Sequence, residues 1–338
     1  MKLYVIFIFF LALFIAFDGC KKNDPNPVAS VPQVLWSDTT VWTSTTLPSQ
    51  AIFIEHLAVS GDTIFAATDG GVFRSTDNGT TWSAMNSGLT PTRVLAIAVE
   101  GSTVLAGGGG VHLSTNSGES WTSINTGISG HVHKLEVMSV ALSNNVYLAG
   151  LAEDGVFCST DKGATWTHSY SDTASALIVN GVTISGSTLY VGALSGLNDG
   201  KIKPGGVLIS SDNGASWSPT GLFGNDIDVV TLAVHNETIF ASGYVGVYRS
   251  MDNGKSWMQI ISGYPWVEIC PLICINDTLY AGTFMGAGSK EGLYASPNNG
   301  DNWFMIESGF PHEYVYTLAY NEKYIFATSG IDVIRRLR

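Results

Sequence analysis

The sequence predicts an all-β protein, a seven-bladed β-propeller whose N-terminal strand closes the last blade. Three observations carry that expectation. A turn of the form Ser-x-Asp/Asn-x-Gly-x-x-Trp recurs six times, a short second strand segment recurs seven times, and a lone tryptophan strand near the start matches the piece missing at the end. Self-similarity at a period of 40 to 50 residues is the pattern of a stacked or radial repeat.

The turn reads "STDNGTTW" at 75–82, "STNSGESW" at 114–121, "STDKGATW" at 159–166, "SSDNGASW" at 210–217, "SMDNGKSW" at 250–257 and "SPNNGDNW" at 296–303. Successive serines are 39, 45, 51, 40 and 46 residues apart. Upstream of each turn lie three apolar segments, so each unit reads as four short strands. The first ends in a triplet such as Leu57-Ala58-Val59 or Ile97-Ala98-Val99, the second resembles "GDTIFAA", and the third resembles "GGVFRS". The alanine repeated in the first segment (Ala58, Ala98, Ala141, Ala233, Ala319) suits the crowded axis of a radial array, where little side-chain volume fits. The seventh unit, "YNEKYIFATSGIDVIRRLR", stops after three strands. "VWTSTT" at 41–46 resembles the strand that follows each turn, with Trp42 in the tryptophan place, and is expected to complete that blade. Closure of this kind removes open sheet edges.

Within the turn, a short side chain can accept hydrogen bonds from backbone N–H groups that the reversal leaves unpaired. Asp77, Asp161, Asp212 and Asp252 do this as carboxylates, and Asn116 and Asn298 as amides. Gly79 permits positive φ. Trp82, Trp121, Trp166, Trp217, Trp257 and Trp303 begin the outer strand and are expected to pack between blades. A catalytic base or metal ligand would not tolerate loss of charge in two of six copies, so the turn is read as a structural staple and no metal site is assigned to it.

These turns resemble the Asp-box, or bacterial neuraminidase repeat, of sialidases, xyloglucanase-type glycoside hydrolases, the sortilin ectodomain and the photosystem II assembly-factor propeller. The resemblance covers residues 34–338. It implies the propeller fold and a ligand site on the face opposite the boxes, and it leaves function open because those families share little else. A single seven-bladed domain is closest in form to the assembly-factor type.

Ahead of the propeller, residues 1–19 read as a lipoprotein signal peptide: Met1-Lys2, then the apolar run "LYVIFIFFLALFIAF", then Gly19 before Cys20. Residues 20–33 read as a tether lipidated at Cys20. The expected location is the bacterial outer membrane or cell surface, facing outward or toward the periplasm, with the membrane reached only through that lipid. Cys158, Cys270 and Cys274 cannot all pair within one chain. Cys270 and Cys274 would lie roughly 13 Å apart along a strand, beyond disulfide reach. The net charge of −12, with 16 Lys and Arg, excludes a phosphate-neutralising face and so nucleic acid.

Sialidase chemistry needs three arginines to clamp a carboxylate. Of six arginines, Arg335, Arg336 and Arg338 lie in the last strand and Arg74 and Arg249 directly precede a box, which leaves Arg93 near the opposite face. Other glycosidases need two facing carboxylates. Asp69, Glu153, Asp154, Asp172, Asp199, Asp226, Asp228, Glu268, Glu291, Glu313 and Asp332 fall on the opposite face, and their convergence is not readable. His131 and His133 lack a third metal ligand, and the "GGGG" at 107–110 lacks the features of a phosphate loop. No cofactor is implied.

Three loops exceed their siblings on that face: 126–137, 194–206 and 284–292. Trp266 and Tyr264 in one blade-linking loop, Phe310 and His312 in the next, and Phe223 one blade earlier are the candidate ligand-binding side chains. The chain therefore reads as a non-catalytic surface lipoprotein that binds a glycan or a protein. A carboxylate-pair glycoside hydrolase and an assembly or scaffold factor are the alternatives.

Overall fold

Each blade alternates its buried side chains between two neighbours. In the segment Thr63–Thr68, Ile64 and Ala66 join a cluster with Phe326 and Val333, whereas Phe65 and Ala67 join one with Val94, Ile97 and Trp121. A strand with period-two side chains, buried on both faces, is what a sheet wedged between two others requires. The computed structural model describes residues 42–48, 51, 53–128, 135–170, 177–198, 201–224, 227–243, 246–262, 268–284, 292–306 and 314–338, all within the unit Val34–Arg338. Every regular element among them is a strand.

Seven four-stranded antiparallel sheets form the blades. Blade one comprises Ile54–Ser60, Thr63–Thr68, Gly71–Ser75 and Ser83–Ala84, in that order from the inside out. Blades two to six repeat this plan from innermost strands Val94–Glu100, Val137–Ser143, Ile178–Ser185, Thr231–His235 and Glu268–Ile275. Blade seven comprises Leu318–Tyr320, Tyr324–Ser329 and Asp332–Leu337, and its outer strand is Thr43–Thr46 from the other end of the chain. The closing register pairs Thr43 with Arg335 and Thr46 with Asp332, and Thr46 Oγ1 donates to Asp332 Oδ1 at 2.6 Å.

The core lies between blades. Phe65, Phe73, Phe157, Phe240 and Phe326 are almost wholly buried, and burial of such a side chain stabilises by about 1.5–3 kcal/mol. Trp42 is buried against Ile275, Leu293 and Ile334, so the closing segment also seals the joint between blades six and seven. The enlarged loop of blade four forms its own hairpin, Gly196–Asn198 with Lys201–Lys203. Cys158 is buried and Cys274 half-buried, both as free thiols; the Cys270 side chain lies outside the described residues.

Candidate functional site at the channel mouth

The antiparallel blades send the aspartate turns to one face and the blade-linking loops to the other. On the first face the turns are saturated with internal bonds. The buried box serine donates to the Asp or Asn oxygen at 2.7–2.9 Å in all six. The box glycine N–H donates back to that serine at 2.8–2.9 Å. A backbone N–H four residues past the Asp or Asn donates to the same oxygen at 2.9–3.0 Å. These bonds hold the carboxyl of Asp77, led by the Thr81 N–H, well below its ordinary value, to about 2. In Asp161, Asp212 and Asp252 the hydroxyl four residues on leads the same effect, again to about 2. The two asparagine boxes keep the same frame without charge.

The boxes also link blades. Trp82, Trp121, Trp166 and Trp217 donate their indole N–H to Thr45, Met85, Ile124 and Ser169 at the outer edge of the preceding blade. Trp257 and Trp303 donate instead to the glycine carbonyl of their own box. A second link runs from the residue just before the box position. Arg74 donates to the Ser117 carbonyl at 2.7 Å, Arg249 to the Asn299 carbonyl at 2.6 Å and to Asp301 Oδ1 at 2.8 Å, and Arg335 to the Asn78 carbonyl. The Cys158 thiol occupies the same place in blade three and reaches the Asn213 carbonyl at 3.2 Å. Each acceptor is the fourth residue of the next blade's box, held at φ of 56–57°, where the backbone turns its carbonyl outward.

The opposite end of the innermost strands differs. In blades one, two, three, four and six the register slips between the first and second strands. The extra residue in the first four is Glu55, Leu95, Met138 or Asn180. A bulge of this kind re-aims a side chain out of the alternating pattern. Val230 and Tyr316 hold the same repeat position in blades five and seven, where their N–H groups bond the Ser242 and Thr328 carbonyls. The residue before each one (Ile54, Val94, Val137, Val179, Val229, Val315) is at most 2% exposed. The six collar residues are all half-buried. None of Leu95, Met138, Val230 and Tyr316 belongs to an interblade cluster. They form a collar at the mouth of the central channel.

Charge gathers on one side of the collar. Arg93 Nη2 donates to Glu55 Oε1 at 3.2 Å, and its Nη1 lies 3.5 Å from Glu136 Oε1, joining blades one, two and three. Burial pushes the Glu55 carboxyl above its ordinary value, Arg93 opposes this, and the negative fields of Asp69 and Glu136 add to it. His56 remains water-accessible although strands enclose it, as a channel residue does. That enclosure pushes its imidazole down, and its Nδ1 bonds the Ile97 carbonyl at 3.0 Å. On the aromatic side, Phe53 meets Tyr316 edge-on at 4.6 Å. The Asn180 Oδ1 is buried without a hydrogen-bond partner among the described residues.

The BNR/Asp-box repeat pattern matches residues 73–84, the first box and its flanks. The fold is an Asp-box β-propeller.

No curated protein matches this propeller in sequence. Among solved structures, YCF48 bound to D1 peptide is similar at 14% identity and TM-score 0.67, covering 91% of this chain and 100% of that one. A GH74 xyloglucanase from Xanthomonas campestris is similar at 17% identity and TM-score 0.66, covering 86% of this chain and 52% of the enzyme, so the propeller spans about half of it. The WD40 β-propeller domain of Doa1 is similar at 12% identity and TM-score 0.64, covering 88% of this chain and 97% of that one. At these identities the likeness is one of fold.

Phe223 is half-buried and packs against the cluster between blades three and four. Trp266, Tyr264, Phe310 and His312 lie outside the described residues, as do Cys20, His131, His133, Asp172, Asp199, Asp226, Glu291, Glu313 and the Glu268 side chain. Of the described loop carboxylates, Asp69, Asp228 and Asp332 serve the scaffold. Asp69 accepts the Phe53 N–H at 3.1 Å, Asp228 accepts the Ser195 N–H at 2.6 Å and hydroxyl at 2.7 Å, and Asp332 accepts the Thr46 hydroxyl. His168 bonds the Asp154 carbonyl at 2.8 Å. Glu55 and Glu136, which sequence reasoning missed, are the carboxylates that converge at the mouth. The Arg93 guanidinium bridges them, in the gap that a glycosidase pair leaves open for substrate and water. Among the described residues no group of three or more His, Cys, Asp or Glu is placed to hold a metal ion.

Proposed function

We propose that this chain is a non-catalytic, lipid-anchored surface propeller that holds a peptide segment of a protein partner at its channel mouth. The observation that carries this reading is the collar. Leu95, Met138, Val230 and Tyr316 stay half-exposed at one repeat position while their strand neighbours are sealed into the core. Small apolar and aromatic side chains grouped on a rigid rim are what anchor residues of a peptide pack against. The likeness to YCF48 bound to D1 peptide extends over that whole chain and accords with a peptide ligand, as the likeness to the GH74 xyloglucanase accords with the sugar alternative. Trp266 and Phe310 precede in sequence the innermost strands of blades six and seven. Anchoring rests on the apolar run and Cys20, and Cys20→Ala is expected to abolish labelling by radioactive palmitate and release the protein from membranes.

Peptide and glycan arrays probed with the purified protein test the reading. Peptide binding that weakens by roughly tenfold in Tyr316→Ala, the loss of one aromatic anchor, is the expected result. Binding confined to glycans, or hydrolysis of any of them, would replace it with the glycoside-hydrolase alternative.

A further inference from the structure

Resting on the lipid-anchor part of that reading, and independent of its peptide part, we infer that the box face meets the membrane through its blade-seven corner and that the channel mouth points away. The chain enters the ring at the box end. Thr43–Thr46 runs antiparallel to Asp332–Leu337, with Thr46 beside Asp332 at the mouth end and Thr43 beside Arg335 at the box end. Arg335 holds the repeat position of Arg74 and Arg249 and reaches the box of blade one. Trp42, just before this strand, lies 22 residues after Cys20. However those residues are arranged, they span at most about 80 Å. A bilayer tied that closely is held near the corner at an effective concentration on the order of mM. A contact of few side chains is then enough to orient the propeller.

The corner has the side chains for that contact. Blade seven takes its outer strand from the other end of the sequence, so no box turn links its last two strands. Tyr320 and Leu337 are 42% and 47% exposed, with Lys323 and Arg338 exposed beside them. The Arg338 backbone N–H donates to the Lys323 carbonyl at 3.0 Å, and its guanidinium donates to the Asn321 carbonyl at 3.0 Å and stands 5.6 Å from the Tyr320 ring centre. The Lys323 ammonium stands 5.0 Å from the centre of the Tyr324 ring. Tyrosine and leucine among long cationic side chains, which bury their stems and hold their charge outward, suit the headgroup level of a bilayer. Glu322 is exposed in the same turn, so the corner is amphipathic and its contact does not depend on net charge. The same face carries Met251 in the blade-five box and Met258 at the box end of that blade's outer strand, 69% and 50% exposed. All four exposed large hydrophobic side chains among the described residues thus lie at the box end.

The test uses the lipidated full-length chain on vesicles of phosphatidylethanolamine and phosphatidylglycerol that carry a headgroup-labelled acceptor lipid. A donor dye is placed at one of two exposed sites, Ser83→Cys at the box end or Thr92→Cys beside the mouth. The parent chain, treated alike, corrects for dye on its own cysteines. Flotation with the vesicles is scored first. Energy transfer is then expected to be severalfold stronger from Ser83→Cys than from Thr92→Cys. Adding Tyr320→Ser with Leu337→Ser, checked by melting curve, is expected to collapse that difference while flotation persists, and Leu337→Glu alone is expected to shrink it. Equal transfer from the two sites, or stronger transfer from Thr92→Cys, in chains that float would overturn the inference and leave the anchor standing. A difference of unchanged size in the Tyr320 and Leu337 variants would overturn its assignment to this corner. A parent chain that does not float would overturn both the anchor and this inference, with the peptide reading untouched.

Discussion

The two faces of this propeller use the same residue types to opposite ends. On the box face, carboxylates, hydroxyls and arginines are consumed by the scaffold: every box oxygen described above accepts from its own turn, and Arg74, Arg249 and Arg335 reach the box of the next blade. At the channel mouth the backbone bulges, and the side chains it re-aims leave the core. The lesson is that repetition marks stability and that departure from it marks the candidate site. Glu55, Leu95, Met138, Asn180, Val230 and Tyr316 share one position and almost no chemistry, whereas the six boxes share nearly all of theirs.

That contrast can be broken most severely at the closure. Trp42→Ala removes a buried ring from the joint between blades six and seven, and should cost about 3–5 kcal/mol of unfolding free energy in denaturant titrations. A loss below about 1 kcal/mol would mean that the N-terminal strand does not seal the ring. Next in size are the interblade arginines. Arg249 is 8% exposed and bonds both Asn299 and Asp301. Arg249→Ala should lower stability by about 1–3 kcal/mol, since a hydrogen bond to a charged group is lost and its acceptors are left short of a partner.

The box carboxylates come third. Their pKa values fall from near 4 in the unfolded chain to about 2 in the fold. A depressed carboxyl favours the folded state at pH above its unfolded value, and that contribution disappears as pH drops from about 4 toward 2. Asp252→Ala should lower the melting temperature by roughly 2–4 °C at neutral pH. Asp252→Asn should lower it less, since Asn116 and Asn298 already build the turn, and should flatten the acid dependence contributed by that box. Equal losses in the two variants would show that the charge, and not the turn, is what matters. Smallest of all is the effect of Met138→Ala on stability, within about 1 kcal/mol because the side chain touches no interblade cluster.

Most of the fold was legible because its signals are local and repeated. Six boxes, seven "TIFAA"-like strands and the stray Trp42 strand were enough to give the blade count and the closure. The staple role of Asp77 and its equivalents followed from the asparagine substitutes. All six box tryptophans pack between blades as the sequence implies, while Trp257 and Trp303 turn their N–H to their own box for a reason the sequence does not display. The collar was hidden, because a bulge is a register event between two strands and leaves no composition signal. Leu95 and Met138 read as ordinary strand hydrophobes. Glu55 stands beside His56 in the innermost strand Ile54–Ser60, and Arg93 lies on the same face, but nothing in the sequence pairs the two. Phe223 was chosen for its loop-like surroundings, but Ser218–Gly224 is a long outer strand that packs it against its neighbours.

The most direct test of the division between faces is a paired measurement of melting temperature and peptide affinity on two variants, Asp252→Ala at a box and Tyr316→Ala at the collar. The account expects the box variant to melt earlier and bind unchanged, and the collar variant to melt near the parent while losing roughly tenfold in affinity. Affinity lost in the box variant and kept in the collar variant would contradict it.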